Sequence, residues 1–170
     1  MAVILGVDPG SRWCGLCVRE GRRLLGFEVI ENPERVTFPA SNAWVGQVLA
    51  AVSARIGEFG PDCVAVELLS KPSWHVGGGR AAANPSEVIA TAQVLGAVQS
   101  LDTAIPVRLC PPGKMGSGPL GSYPVDLVSP AEQRAPNWKM RVGKGRLRHA
   151  RSAWDVAGHG ALVHRVAVSR

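Results

Sequence analysis

Residues 3–15 read VILGVDPGSRWCG. Val3 to Val7 is an unbroken apolar run, the pattern of a strand buried on both faces, and it ends at Asp8. Pro9 and Gly10 then impose a tight turn. "GLCV" (15–18) resumes the strand pattern, and "RRLLGFEVI" (22–30) follows the Glu20-Gly21 turn signal, so the opening reads as a three-strand meander. Its most telling feature is a buried strand that delivers one carboxylate to the brink of a turn.

The same device recurs at "DCVAVE" (62–67), a short apolar strand that ends in Glu67. Between the two, "ENPERVTFPASN" is loop by its prolines, and Ser41 or Asn42 can cap a helix. Apolar residues at 45, 48, 49, 52 and 56 keep helical spacing until Gly60-Pro61. Ser86 is the expected cap of "EVIATAQVLGAVQSL", and "IPVRLC" reads as a fifth strand. The final helix is "RHARSAWDVAGHGALVHRVAV". The order predicts an α/β fold: a five-stranded mixed sheet, with a three-strand antiparallel meander and two parallel strands, flanked by helices. One domain over 1–170 is expected, with mobile loops near 68–85 and 111–147, where Gly and Pro are dense.

Apolar residues are 46% and charged residues 19%, a globular composition rather than a disordered one. No apolar run approaches the roughly 18 residues that span a bilayer, and no basic N-terminal segment leads into an apolar one. A cytoplasmic protein is therefore expected. Arginine outnumbers lysine fifteen to four, which hints at a GC-rich genome, of an actinobacterial-type host or one of its phages. Cys14 and Cys17 form a C-x-x-C, but Cys63 and Cys110 supply no second close pair, so strand packing explains them better than zinc.

Charge is unevenly spread. Residues 134–170 hold nine Arg and Lys against a single acid, Asp155, whereas the first 133 residues hold ten bases and twelve acids. A positive field in one stretch points to a polyanion, nucleic acid ahead of a membrane because no apolar helical face accompanies it. A basic tail kept for solubility is the plainer alternative.

Neighbouring strands lie about 4.8 Å apart, so Asp8 and Glu67 stand side by side if their strands pair with ends together. Two carboxylates that close raise each other's pKa unless a cation lies between them. Mg²⁺ suits oxygen ligands and phosphate, and two such ions about 4 Å apart can activate a water and stabilise a leaving oxygen. A third acid has to come from Asp155. On the last helix His149, Ser152 and Asp155 are i, i+3 steps, so His149 and Asp155 project about 120° apart. Each residue also has a plainer reading: Asp8 as turn opener, Asp155 as a solvated helical charge, His149 as an exposed phosphate contact.

"ILGVDPGSRWCGLCV" resembles the opening of RuvC-type Holliday junction resolvases, members of the RNase H-like nuclease superfamily; "CVAVE" resembles their fourth strand, and "HARSAWDVA" their last helix. The resemblance implies an RNase H-like fold and a metal-dependent endonuclease that resolves Holliday junctions and other branched DNA. It implies Mg²⁺ or Mn²⁺ in a two-metal site on Asp8, Glu67 and Asp155, with His149 or Ser152 assisting. Family members carry an aspartate or histidine, then an aspartate three residues on and an alanine. Without gaps these positions fall on His149, Ser152 and Ala153; shifted by three, on Ser152, Asp155 and Val156. Asp155 is the expected essential acid, since a hydroxyl replaces a carboxylate poorly on Mg²⁺.

The same resemblance gives Lys139, Arg141, Lys144, Arg146, Arg148 and Arg151 to backbone phosphates. It makes Trp74 a stacking residue at the junction centre, with packing as its plainer role. The helix over 86–101 resembles the family's dimer-forming helix, which implies a homodimer. Two other classes compete. An actin-like ATPase fragment shares a "GVDPGS"-like phosphate loop but needs a second lobe. A noncatalytic RNase H-like DNA-binding module is suggested by Ser152 standing where an acid is expected.

Overall fold

The computed structural model describes residues 1–34, 38–69, 84–114 and 116–168. Five strands, β1 (Val3–Asp8), β2 (Trp13–Glu20), β3 (Arg23–Glu31), β4 (Cys63–Glu67) and β5 (Val107–Cys110), form one sheet in the order β3-β2-β1-β4-β5. The first three are an antiparallel meander, and β1, β4 and β5 run parallel, as the pattern of runs and turns predicts.

Strand alternation sorts each side chain to a face. Leu5, Val7, Cys14, Leu16, Val18, Val64 and Val66 point to one face, where α1 (Asn42–Phe59) adds Trp44, Val48 and Val52 and α2 (Pro85–Gln99) adds Val94 and Val98. Ile4, Cys63 and Ala65 point to the other, under α4 (Leu147–Val168). Cys14 and Cys17 thus pack on opposite faces of β2, and all four cysteines are buried and free.

Ser41 caps α1, its hydroxyl accepting from the Trp44 amide at 3.1 Å, and Gly60 ends it at φ +53°, where a side chain would be strained. The cap of α2 is Asn84, not Ser86, because Pro85 takes the first helical position, where a missing N–H costs nothing.

Residues 116–146, expected as a mobile loop, form a packed arm. Three 3₁₀ turns (Leu120–Ser122, Val125–Leu127, Trp138–Met140) and the short α3 (Pro130–Gln133) press Tyr123 and Leu127 onto α4 beside Ala150, Ala153 and Trp154. The period of an α-helix never develops there, so periodicity alone read the stretch as irregular.

Candidate active site

Asp8 and Glu67 end adjacent parallel strands. Val7 pairs with Val66, so the next residues, both on the α4 face, stand side by side. Glu67 is 6% exposed, and its Oε1 is buried without a hydrogen-bond partner. Burial, then the charge and close approach of the Asp8 carboxylate, push its carboxyl up to about 8. The turn behind Asp8 is fixed by three bonds: Asn32 donates to the Ser11 carbonyl, its backbone N–H to that of Arg12, and the Trp44 indole to that of Gly10.

Helix α4 lies flush on this edge because β1 and β2 carry glycines beneath it. A Cβ on Gly6 would sit 2.0 Å from the Ala153 carbonyl, and one on Gly15 2.2 Å from that of His149. That close approach brings His149 Nδ1 within 2.9 Å of Asp8 Oδ2 and lets Ser152 Oγ donate to Glu67 Oε2 at 2.8 Å. Both carboxylates are thus met from α4, in the ungapped register.

Asp155 is not brought to this pair. Its Oδ2 accepts from the Tyr123 hydroxyl at 2.9 Å and the Gly116 amide at 3.3 Å, on the side of α4 that faces the arm. The preference for Asp155 as the essential acid is corrected accordingly: Ser152, one turn back, is the residue on Glu67. Burial raises the Asp155 carboxyl and pushes the Tyr123 phenol up to about 12, as for groups closing a structural contact. Among the described residues no group of three or more His, Cys, Asp or Glu is placed to hold a metal ion. Two carboxylates with one orphaned, buried oxygen still suit a divalent cation, one acid short of the expected set.

Two consequences are measurable. We expect Ser152→Ala to lower kcat about tenfold by removing the hydroxyl that favours ionised Glu67, and Asp155→Asn to leave kcat within about threefold while lowering Tm; steady-state rates and thermal melts check both. The Glu67 shift also has a pH signature in EDTA. Its folded pKa of about 8 lies above the ordinary 4.5, so the stability it lends is complete below 4.5 and is lost as pH rises through 8. Thermal melts between those limits should lose on the order of 5 kcal/mol, and Glu67→Gln should flatten that slope.

The basic residues divide. Lys144, Arg146 and Arg148 are exposed and, with Arg12, Trp13 and His149, line a cavity of about 790 Å³. Lys139 and Arg141 are exposed farther along the arm. Arg151 is fully buried, so its assignment to phosphate is corrected. Its guanidinium donates to the Leu127 and Lys144 carbonyls at 2.9 and 3.2 Å and pairs with Glu132 at 3.3 Å. Hydrogen bonds from Ser129 and the Arg151 charge outweigh burial and hold the Glu132 carboxyl below its usual range. Trp74 lies outside the described residues.

Trp13 was missed in the sequence. It lines both the cavity above and a second, of about 500 Å³, that contains Asp8, Glu67 and His149. Period-two alternation along β2 places it with Gly15 and Cys17 on the α4 face, which was the available signal.

Among the described residues no helix is long and apolar enough to cross a membrane. The fold is similar to that of T. thermophilus RuvC solved in complex with a Holliday junction substrate, at 20% identity and a TM-score of 0.62 over 96% of each chain. A second Thermus thermophilus RuvC structure matches at 22% identity and a TM-score of 0.57, over 97% of this chain and 96% of that one. None of the curated proteins matches the chain. The family model for crossover junction endodeoxyribonuclease RuvC matches residues 4–108, the span that holds the whole sheet but for its first residue and its last two, together with both carboxylates. On that match the chain belongs to the RuvC family of crossover junction endodeoxyribonucleases.

Proposed function

We propose that the protein nicks the phosphodiester backbone at four-way DNA junctions, with Asp8 and Glu67 as ligands of Mg²⁺ or Mn²⁺, in a two-metal arrangement once DNA is bound. The observation that carries this reading is the side-by-side carboxylate pair with one buried oxygen left unpartnered. Family members are divalent-metal dependent in general. Bound metal supplies charge neutralisation at the phosphate and a water of lowered pKa.

The chain's own residues do the rest. His149 holds Asp8 in position from α4. Ser152 donates to Glu67, which aims that carboxylate and favours its ionised form. Lys144, Arg146 and Arg148 neutralise phosphates flanking the cut, without reading sequence.

A homodimer is part of the proposal. Helix α2 exposes Ile89 and Ala92 one turn apart, a stripe suited to a two-fold contact that would set two sites against opposing strands. The test is a panel of four-way junction, flap and duplex DNA with Mg²⁺, Mn²⁺ or Ca²⁺. Paired nicks in the junction with Mg²⁺ or Mn²⁺ and none with Ca²⁺ are expected; binding without cleavage in any metal would overturn the proposal.

A further inference from the structure

We propose that Trp13 is the stacking platform for an unpaired nucleobase beside the scissile phosphate, and through it a determinant of branched-DNA preference; this rests on the endonuclease reading above. Trp13 opens β2, and its neighbour Gly15 pairs with Asp8, so the indole stands at the edge of the carboxylate pair. Two other tryptophans of the fold are absorbed by it. Trp44 is buried in the core and donates to the Gly10 carbonyl, and Trp154 lies beneath the Arg19 guanidinium at 3.7 Å. Trp13 is half-buried and, among the described residues, belongs to none of the three apolar clusters. Packing does not account for it.

Its neighbours describe a ligand. Trp13, Arg12 and His149 are common to both cavities, one holding the carboxylates, the other Lys144, Arg146 and Arg148. A strand with one phosphate at Asp8 and Glu67 and the next among the basic residues must carry its intervening base past Trp13. The indole is near-parallel to the His149 ring, at 20°, but the centroids are 6.3 Å apart, so the histidine covers only part of it. The exposed Arg12 guanidinium lies 6.0 Å from the indole centre, the outer limit of a cation–π contact. A base that slides onto the indole displaces this weak contact and leaves Arg12 for the adjacent phosphate.

Structure selectivity follows from stacking. In duplex DNA both faces of a base are covered by its neighbours, so reaching Trp13 requires full unstacking, whereas at a branch point, where the stack is interrupted, that cost is lower.

The test uses the full-length chain and junctions with 2-aminopurine at nucleotides flanking the mapped cut, bound in Ca²⁺ and cut in Mg²⁺. We expect quenching at one flanking position with wild type and Trp13→Phe, its loss with Trp13→Ala, and roughly tenfold weaker junction binding by Trp13→Ala with duplex affinity unchanged. Unchanged quenching and an unchanged junction-to-duplex ratio would overturn the proposal. So would a loss confined to kcat, which would make the indole only a brace for His149. If Trp13→Ala fails to fold, Trp13→Leu against Trp13→Phe gives the same comparison. A wild-type protein that cuts no branched DNA would refute the endonuclease reading, and the platform with it; normal cutting with indifferent Trp13 variants refutes the platform alone.

Discussion

Glu67→Gln is expected to lower junction cleavage in Mg²⁺ by about a thousandfold or more, while junction affinity in Ca²⁺ stays within about threefold. The charge is what the substitution removes; shape is nearly conserved, and the amide oxygen can still accept from Ser152. A thousandfold corresponds to about 4 kcal/mol of transition-state stabilisation, within what metal neutralisation of a phosphodiester supplies. Asp8→Asn should match it in rate, because it takes the charge from the other half of the pair and weakens the contact that holds His149. Binding should survive in both variants under the proposed assignment of the phosphate contacts to Lys144, Arg146 and Arg148, which line a separate cavity. Single-turnover cleavage with filter binding on the same junction checks the prediction, and a variant that still cuts within tenfold of wild type would exclude Glu67 as a ligand.

Arg151→Ala should be the most destabilising substitution at the seam between α4 and the arm, by about 3–5 kcal/mol, as expected when one partner of a buried ion pair is removed. It leaves Glu132 without its counter-charge, though still hydrogen-bonded by Ser129 and Lys144, and frees the Leu127 and Lys144 carbonyls that the guanidinium meets. For a chain of this length the loss corresponds to a fall in Tm of roughly 10 °C. The double variant Arg151→Met with Glu132→Gln should recover much of it, since no buried charge is then unpaired. Well below Tm, the dependence of junction affinity on salt should be the same for Arg151→Ala and wild type. A shallower slope would mean that Arg151 meets phosphate after all.

The sheet and its flanking helices were legible because each strand was punctuated: Asp8 with Pro9-Gly10, Glu20 with Gly21, and Gly60-Pro61 before β4. Those signals act locally, through backbone dihedrals, so a linear reading captures them. The pairing of Asp8 with Glu67 was legible too, from two apolar runs that each end in an acid. What a linear reading missed depends on contacts distant in sequence. Nothing in "RHARSAWD" (148–155) distinguishes Arg148, exposed, from Arg151, buried on Glu132, because both are arginines on one helix. The choice between Ser152 and Asp155 turned on the depth at which α4 seats, which Gly6 and Gly15 set from strands more than 130 positions away. Helix projection warned that His149 and Asp155 could not face one point, but not which would turn aside.

Within seven consecutive residues, α4 points His149 and Ser152 at the carboxylates and Arg151 and Asp155 at the arm. Grip and blade are therefore mounted on one rigid rod. The Lys144 carbonyl is held by Arg151 on that same helix, so the seat of the arm and the aim of the two side chains at the carboxylates share one support.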